Sequence, residues 1–497
     1  MSAALIWIFL PGFIGAVLFF FRKMERLTAI LGTATALLLA ALAWQVSIGT
    51  VYHLGPISFQ INESLQFLGR RFVLQESDRS TLAIIYLIAA FWFGGAYISK
   101  AGRMLIPMGL GVVGLMIAAI AVEPFLYAAL IIEMAALLCI PILVAPGKRA
   151  GKGVFRFLTF QSFGTPFILL TGLFTGWLAA PSNGGTPQAE LTFRAVIFLS
   201  LGFAFLLGIF PFHSWIPMLA EEAHPYATAF VFFMLPGMVS LFGLGFIAHY
   251  DWLRFNSLIF DFLRYGGTIM VVFGGIWAAL QRHLGRILGY AVMVDTGLTL
   301  LAISVQPPEA FLALASSGLG ATFFALFFTR ALALGTWAMA LAVIQAKTKS
   351  LSFQACSGAA RSLPAASLAL VFASFSLAGF PIFAGFPVRL SIWTQLGSQN
   401  PALAFGALLG AAGLIVGGLR TMTVLVGSQA GIGSAAHANL QPDTPPGTQS
   451  DMKTNPQVKT PTSKPTRIWQ LTESGPLLFF LTSAVAALLL FGLFPAW

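Results

Sequence analysis

Long apolar runs separated by short polar breaks set the pattern of this chain. They lie near 3–21, 27–49, 81–99, 104–122, 125–145, 157–180, 195–211, 227–248, 266–281, 286–305, 311–344, 365–386, 402–427 and 475–496. A helix of about 20 such residues crosses a bilayer, so the pattern predicts an all-α polytopic membrane protein with about fourteen transmembrane helices. The run 311–344 exceeds one straight span and predicts a tilted helix, or one that continues outside the hydrocarbon. The first run is followed by its charges instead of preceded by them and has no small-residue cleavage site, which reads as a retained span.

Three stretches depart from this pattern. Between 50 and 80, YHLGPISFQI and FVLQES alternate apolar and polar residues around turn material, which predicts a short hairpin on the outer face. Residues 181–193 read as a flexible connection. Residues 428–470 are rich in Pro, Thr, Ser and Gln and predict a disordered or surface-hugging linker.

Prolines inside the apolar runs predict interrupted helices, because proline lacks an N–H and clashes with the preceding turn. Pro211 ends the seventh run and Pro217 follows it, Pro236-Gly237 lie in the eighth, and Pro381 and Gly385 lie in the twelfth with Pro387 just past its end. Each break frees backbone groups that lipid cannot satisfy, so they must face protein or a wet cavity.

Composition narrows the class further. Hydrophobic residues make up 58% of the 497 and charged residues 9%, far from the roughly 25% charged of a soluble domain. The two cysteines, Cys139 and Cys356, are too few for an iron–sulfur or structural zinc site, and no phosphate-binding or dinucleotide fingerprint is present. A basic balance of this size invites a nucleic-acid reading, but the basic residues are scattered through short loops. Arg22, Lys23, Arg26, Lys100, Arg103, Lys148, Arg149, Lys152, Arg156, Arg282, Arg286, Lys347, Lys349, Arg361, Lys453, Lys459, Lys464 and Arg467, eighteen in all, follow odd-numbered spans. Only six, Arg70, Arg71, Arg79, Arg194, Arg254 and Arg264, follow even-numbered ones. The positive-inside rule then places the odd loops in the cytoplasm and both termini outside an inner (plasma) membrane.

Ionisable residues within the spans are the candidate functional groups, since burying a charge at membrane depth costs several kcal/mol unless it is paired. Glu133 lies deep in span five, Asp295 in span ten, Arg330 in span eleven and Arg389 just past the break in span twelve. His213 and His224 flank the break in span seven and add groups that titrate near neutral pH. Arg330, from the neighbouring span, is the expected partner of Asp295, with Arg389 the alternative. Glu221 and Glu222 read as a solvated turn, and Arg420 as a side chain snorkelling to the interface.

Four motifs give the chain a resemblance. Glu133 in IIEMAAL, PFHSWIP from Pro211 to Pro217, ALQRHLGRILGYAVMVDTG from Ala279 to Gly297, and LPAASLALVFASFSLAGFPIFAGFPVRL ending at Leu390 resemble the antiporter-like membrane-arm subunits of proton-pumping NADH:quinone oxidoreductase (respiratory complex I). Mrp-type cation/proton antiporters and hydrogenase membrane subunits are related to these. The resemblance implies fourteen spans with two inverted five-helix repeats and broken helices at spans 7 and 12. It divides the chain into spans 1–3 with the hairpin (1–103), a first repeat (104–248), a second (258–427), the polar linker (428–470) and a last span (471–497). It also implies membrane-arm subunits as partners, with protons or water conducted, and no redox cofactor in this chain: flavin, iron–sulfur clusters and quinone belong to partner subunits.

The departures from the family are chemical. Its lysine in the broken seventh span falls at Leu206, its span-eight lysine in the stretch Pro236-Gly237-Met238, and its span-eleven histidine and lysine at Arg330 and Leu334. Arg389 stands where the family has lysine or glutamate. An arginine keeps its charge but does not exchange a proton near neutral pH. A pumping subunit, a structural subunit with a degenerate channel, and an Mrp-like antiporter or ion-translocating subunit of a hydrogenase or bicarbonate-uptake complex are therefore the readings to separate.

Overall fold

The computed structural model describes residues 2–54, 57–145, 147–179, 188–311, 321–427 and 473–495. The linker predicted at 428–470 and the start of the 181–193 connection lie outside them. Helices dominate. The first half comprises α1 (Leu5–Phe20), α2 (Glu25–Gln45), α3 (Arg79–Ile98), α4 (Leu105–Ala121), α5 (Ala128–Leu143), α6 (Lys152–Ala179), α7 (Gln188–Leu207), α8 (Trp215–Glu222) and α9 (Pro225–His249). The second comprises α10 (Ser257–Leu280), α11 (Leu284–Ser304), α12 (Ala321–Thr348), α13 (Pro364–Ala378), α14 (Gly385–Gln399), α15 (Pro401–Val426) and α16 (Gly475–Leu493).

Among the described residues eleven helices are long and apolar enough to cross a membrane, or twelve with the bent pair Phe353–Arg361 and Pro364–Ala378 counted as one. Two predicted spans, 3–21 and 104–122, are the shorter apolar helices Leu5–Phe20 and Leu105–Ala121, so length alone does not establish fourteen crossings. The stretch 50–80 forms two antiparallel hairpins where one was expected: β1 (Val51–Leu54) pairs with β2 (Ile57–Gln60), and β3 (Ser64–Phe67) with β4 (Arg70–Val73). Arg79 ties this region to the bundle. Its Nε and Nη2 donate to the Ala43 and Trp44 carbonyls, which the end of α2 leaves without helical partners.

The core runs through α9, α11 and α12, which are buried on nearly every side. Apolar residues all round such a helix are what a position inside a bundle demands. Around them α10 packs between α11 and α15. There the glycines are the contact surface, since a Cβ on Gly275 would lie 2.5 Å from the Gly410 carbonyl oxygen. Helices in lipid gain little from burying apolar surface against one another, so close backbone approach through small residues supplies the attraction instead.

Two helices stop within the bundle by the same device. After α7, Gly208 adopts φ +65° and the Ile209 N–H donates to the Ala204 carbonyl at 2.9 Å. After α13, Gly379 adopts φ +77° and the Phe380 N–H donates to the Phe375 carbonyl at 2.9 Å. Each is a left-handed glycine with the six-to-one bond of a Schellman cap. Pro211 and Pro381 follow and prevent the helix from resuming. The other expected interruptions are not there. Pro217 and Pro387 each lie at the third residue of a new helix, α8 and α14, and Gly385 is the first residue of α14. In that first turn a missing N–H loses no helical bond. Pro236 and Gly237 lie inside α9, which runs on through them.

Candidate functional site

Asp295, in the middle of α11, is fully buried, and two guanidinium groups converge on it. Arg389 of α14 donates from Nη2 to Oδ1 at 2.5 Å. Arg330 of α12 brings Nε to 3.0 Å from Oδ2, close enough for an ion pair, though its N–H is not aimed at that oxygen. Both arginines are at most 3% exposed. The expected pairing with one arginine or the other is thus a pairing with both. Two fixed cations around one carboxylate leave the cluster with a surplus positive charge among the described residues.

Arg330 is held by a backbone carbonyl that a proline has freed, and Arg389 by the first carbonyl of its own helix. Pro236 has no N–H to offer the carbonyl four residues before it, that of Phe232. Arg330 Nη2 donates to this carbonyl at 3.2 Å and to Thr296 Oγ1 at 3.4 Å. This is why α9 passes through Pro236 unbroken: the freed acceptor has a partner from the next helix. Arg389 lies over the last turn of α13, where a Cβ on Gly379 would meet its Cδ at 2.7 Å, and its Nη1 donates to the Gly385 carbonyl at 3.4 Å. The negative end of the α13 dipole thus lies against a cation. Gly385 itself approaches the Ser376 carbonyl too closely for any side chain.

The first break has neutral partners. Gln161 of α6 donates from Nε2 to the Leu206 carbonyl at 2.9 Å, capping the end of α7, while its Oε1 has no hydrogen-bond partner. Leu206 is buried with its side chain over Gly164. His213 stacks on Phe210 at 5.4 Å between ring centroids, and its Nδ1 is buried without a partner. Glu133 is half-buried on α5 beside the exposed Leu130, Met134 and Leu137, on the outward face of the bundle. None of the hydrogen bonds or ion pairs found among the described residues links Glu133, His213 or His224 to the Asp295 cluster.

The end of the bundle that carries the basic loops is stapled by acids. Glu221 accepts from Arg286 Nε at 2.7 Å, and Glu222 accepts from the Gly153 N–H at 2.8 Å, at the N-terminus of α6. These two residues are cross-links between elements and not a free solvated turn. His224, between α8 and α9, has its pKa lowered to about 4 by burial, against a hydrogen bond with the Ser99 backbone that raises it. Burial also lowers that of His283, opposed by the Glu221 carboxylate and assisted by Arg286. Arg420, expected to snorkel, instead donates to the Ala279 carbonyl of the neighbouring α10.

Among the described residues no group of three His, Cys, Asp or Glu side chains is placed to hold a metal ion. What the Asp295 cluster supplies is fixed charge at the centre of four helices. Sequence reading picked out its three charged residues but missed Thr296, the Phe232 carbonyl and the capping role of Gln161. Pro236 was the available signal for the second of these, read forward to the carbonyl it frees instead of to a kink.

Comparisons with known proteins agree with this architecture. The profile of the NADH:quinone oxidoreductase/Mrp antiporter transmembrane family matches residues 154–414, more than half of the chain. The chain spans about half the length of the first curated relatives it matches. The match to NADH-quinone oxidoreductase subunit N 2 of Solidesulfovibrio magneticus is longer: 27% identity over 363 residues, 69% of this chain and 74% of that one. Among solved structures, a chain of the Mrp complex from Dietzia sp. DQ12-45-1b superposes with a TM-score of 0.73 at 15% identity, covering 100% of this chain and 95% of that one. A chain of respiratory complex I from Thermus thermophilus with bound NADH gives 0.66 at 19% identity, covering 99% and 95%. At such identities these superpositions establish the shared polytopic fold.

Proposed function

Since the chain belongs to the NADH:quinone oxidoreductase/Mrp antiporter transmembrane family, we propose that it is an antiporter-like membrane-arm subunit of a complex I-type oxidoreductase. In this reading it supports the proton-translocating arm without completing a proton path by the family mechanism. The observation that carries it is the pair of arginines around Asp295. A relay works when a neighbouring charge shifts the pKa of a group that then loads and unloads a proton. Arginine holds its proton near neutral pH, so this cluster keeps its charge throughout a cycle. At the first break Leu206 packs on Gly164 where the family lysine is expected, leaving no amine for Glu133 to bias. Outside the cluster, His213 and His224 remain as side chains for a partial path from one face, with burial keeping His224 neutral at physiological pH.

A carboxylate at membrane depth on an outward face needs a partner, so Glu133 is taken to meet a neighbouring subunit. The redox chemistry, with its flavin, iron–sulfur clusters and quinone, is assigned to other subunits. The matching stops after α7 and α13 fit two inverted repeats at 104–248 and 258–427. The basic loops are assigned to the cytoplasm and the termini to the outside of the plasma membrane. Labelling of cysteines placed at Ser434 or Thr444 from the outside alone would overturn this orientation.

The deciding measurement is the proton-to-electron ratio of the reconstituted complex carrying Glu133→Gln. An unchanged ratio supports the scaffold role, and a fall by one whole pumping event refutes it. The closer superposition on the Mrp chain favours a second reading, an Mrp-like cation/proton antiporter subunit. Co-purification in mild detergent separates the two, since redox subunits accompany the chain only in the first.

A further inference from the structure

At the end of the bundle that carries the basic loops, a cavity of about 410 Å³ opens between the turn after α3, the end of α5 and the turn joining α8 to α9. Its polar side holds Arg103, Lys148, Arg149, Glu222 and His224. Met104, Pro141, Ile142 and Val144 form its apolar wall. Exposed Leu137, one turn before Pro141 on the same helix, continues that wall toward the middle of the membrane. Two of the charges are already engaged: Arg103 pairs with Glu25 at 2.9 Å, and Glu222 accepts the Gly153 N–H at 2.8 Å. Lys148 and Arg149 are exposed and form no ion pair among the described residues.

We propose that this cavity binds the phosphate headgroup of an anionic phospholipid from the leaflet that meets the basic loops. The phosphodiester lies between Lys148 and Arg149, and the upper acyl chain lies along Val144, Pro141 and Leu137. Three features meet here that a lipid needs together. There is surplus positive charge at the level of the headgroups, a concavity lined by donors, and an apolar wall that leads into the hydrocarbon. Basic pockets between helices on the cytoplasmic side of membranes recognise anionic headgroups through this combination. A free phosphate shares the headgroup chemistry but has no use for the apolar wall. The proposal does not depend on whether the chain conducts protons.

The test uses the full chain in nanodiscs of phosphatidylcholine with a small fraction of phosphatidylglycerol, and measures by native mass spectrometry how much phosphatidylglycerol each protein retains. Each cation near a membrane surface contributes about a fivefold factor in affinity. Lys148→Gln with Arg149→Gln is therefore expected to weaken retention about thirtyfold, whereas Arg282→Gln with Arg361→Gln, in other basic loops, leaves it unchanged. Val144→Trp keeps every charge but fills the apolar side, and it too should release the lipid. The proposal is overturned if both double variants lose lipid equally, since that is general surface charge. It is equally overturned if Val144→Trp retains lipid, or if inorganic phosphate displaces phosphatidylglycerol at millimolar concentration and protects Lys148 from acetylation as well as the lipid does. Lys148→Arg, which preserves the charge, should retain wild-type binding and shows that the loop tolerates substitution.

Discussion

Pro236 and Arg330 meet only through a third group, the Phe232 carbonyl, and a double-mutant cycle on the two residues isolates that link. Arg330→Met takes away one of the two cations on Asp295, for which breaking a buried pair costs about 3–5 kcal/mol. It also leaves the Phe232 carbonyl buried and unpaired, adding about 1–3 kcal/mol. In a Pro236→Ala background the second part vanishes, because residue 236 regains an N–H and closes the helical bond to Phe232. The single variants and the double are thus coupled by about 1–3 kcal/mol, with Arg330→Met milder when alanine stands at 236. Unfolding by SDS in mixed micelles, followed by circular dichroism on wild type and the three variants, measures the coupling. Costs that add to within about 0.5 kcal/mol would refute the reasoning and show that Arg330 serves Asp295 alone.

Asp295→Asn should prevent accumulation of folded protein, since it strips both arginines of their carboxylate at once and each broken pair costs about 3–5 kcal/mol. Replacing all three with Asp295→Leu, Arg330→Met and Arg389→Met in the Pro236→Ala background should restore expression, as measured by the monodisperse yield in detergent. Gly379→Ala combines a left-handed backbone, costing about 1–2 kcal/mol, with a collision against Arg389, and should lower the melting temperature well beyond Gly397→Ala, where an added Cβ makes only ordinary contact with Ala404 at 3.9 Å. For His224 the folded pKa of about 4 lies below the ordinary value of 6.5, so its contribution is complete above pH 6.5 and is lost as pH falls toward 4. Melting temperature between pH 7 and pH 4.5 should therefore fall less steeply in His224→Gln than in wild type, and parallel slopes would contradict the assignment.

The spans and the two true stops could be read from the chain because both are local facts: apolar length, and a glycine followed within three residues by proline. Pro236 shows where local reading fails. A proline inside a span predicts a break unless a donor from elsewhere takes the freed carbonyl, and that donor lies 98 residues away. The same distance problem left the choice between Arg330 and Arg389 open where both pair with Asp295, since Arg389 is 94 residues from it. Gln161 lies within the apolar run 157–180, yet its capping role depends on where α7 stops relative to α6, which is a matter of packing and not of pattern.

The Asp295 cluster also has a mechanical side. Through it α9, α11, α12 and α14 are fastened at one point: a carboxylate on α11, cations on α12 and α14, and a main-chain oxygen of α9. A rivet through four rods removes their freedom to slide past one another, because displacing any one by even half a helical turn strips the others of their ligands together. The Gly208–Ser214 stretch has no ion pair of this kind among the described residues: the Gln161 hydrogen bond to the Leu206 carbonyl, the Ile209 N–H bond to the Ala204 carbonyl and the Phe205–Phe212 ring contact hold it. Any rocking motion transmitted along a larger assembly would meet less resistance there, with the four riveted helices, drawn from both repeats, moving as one piece.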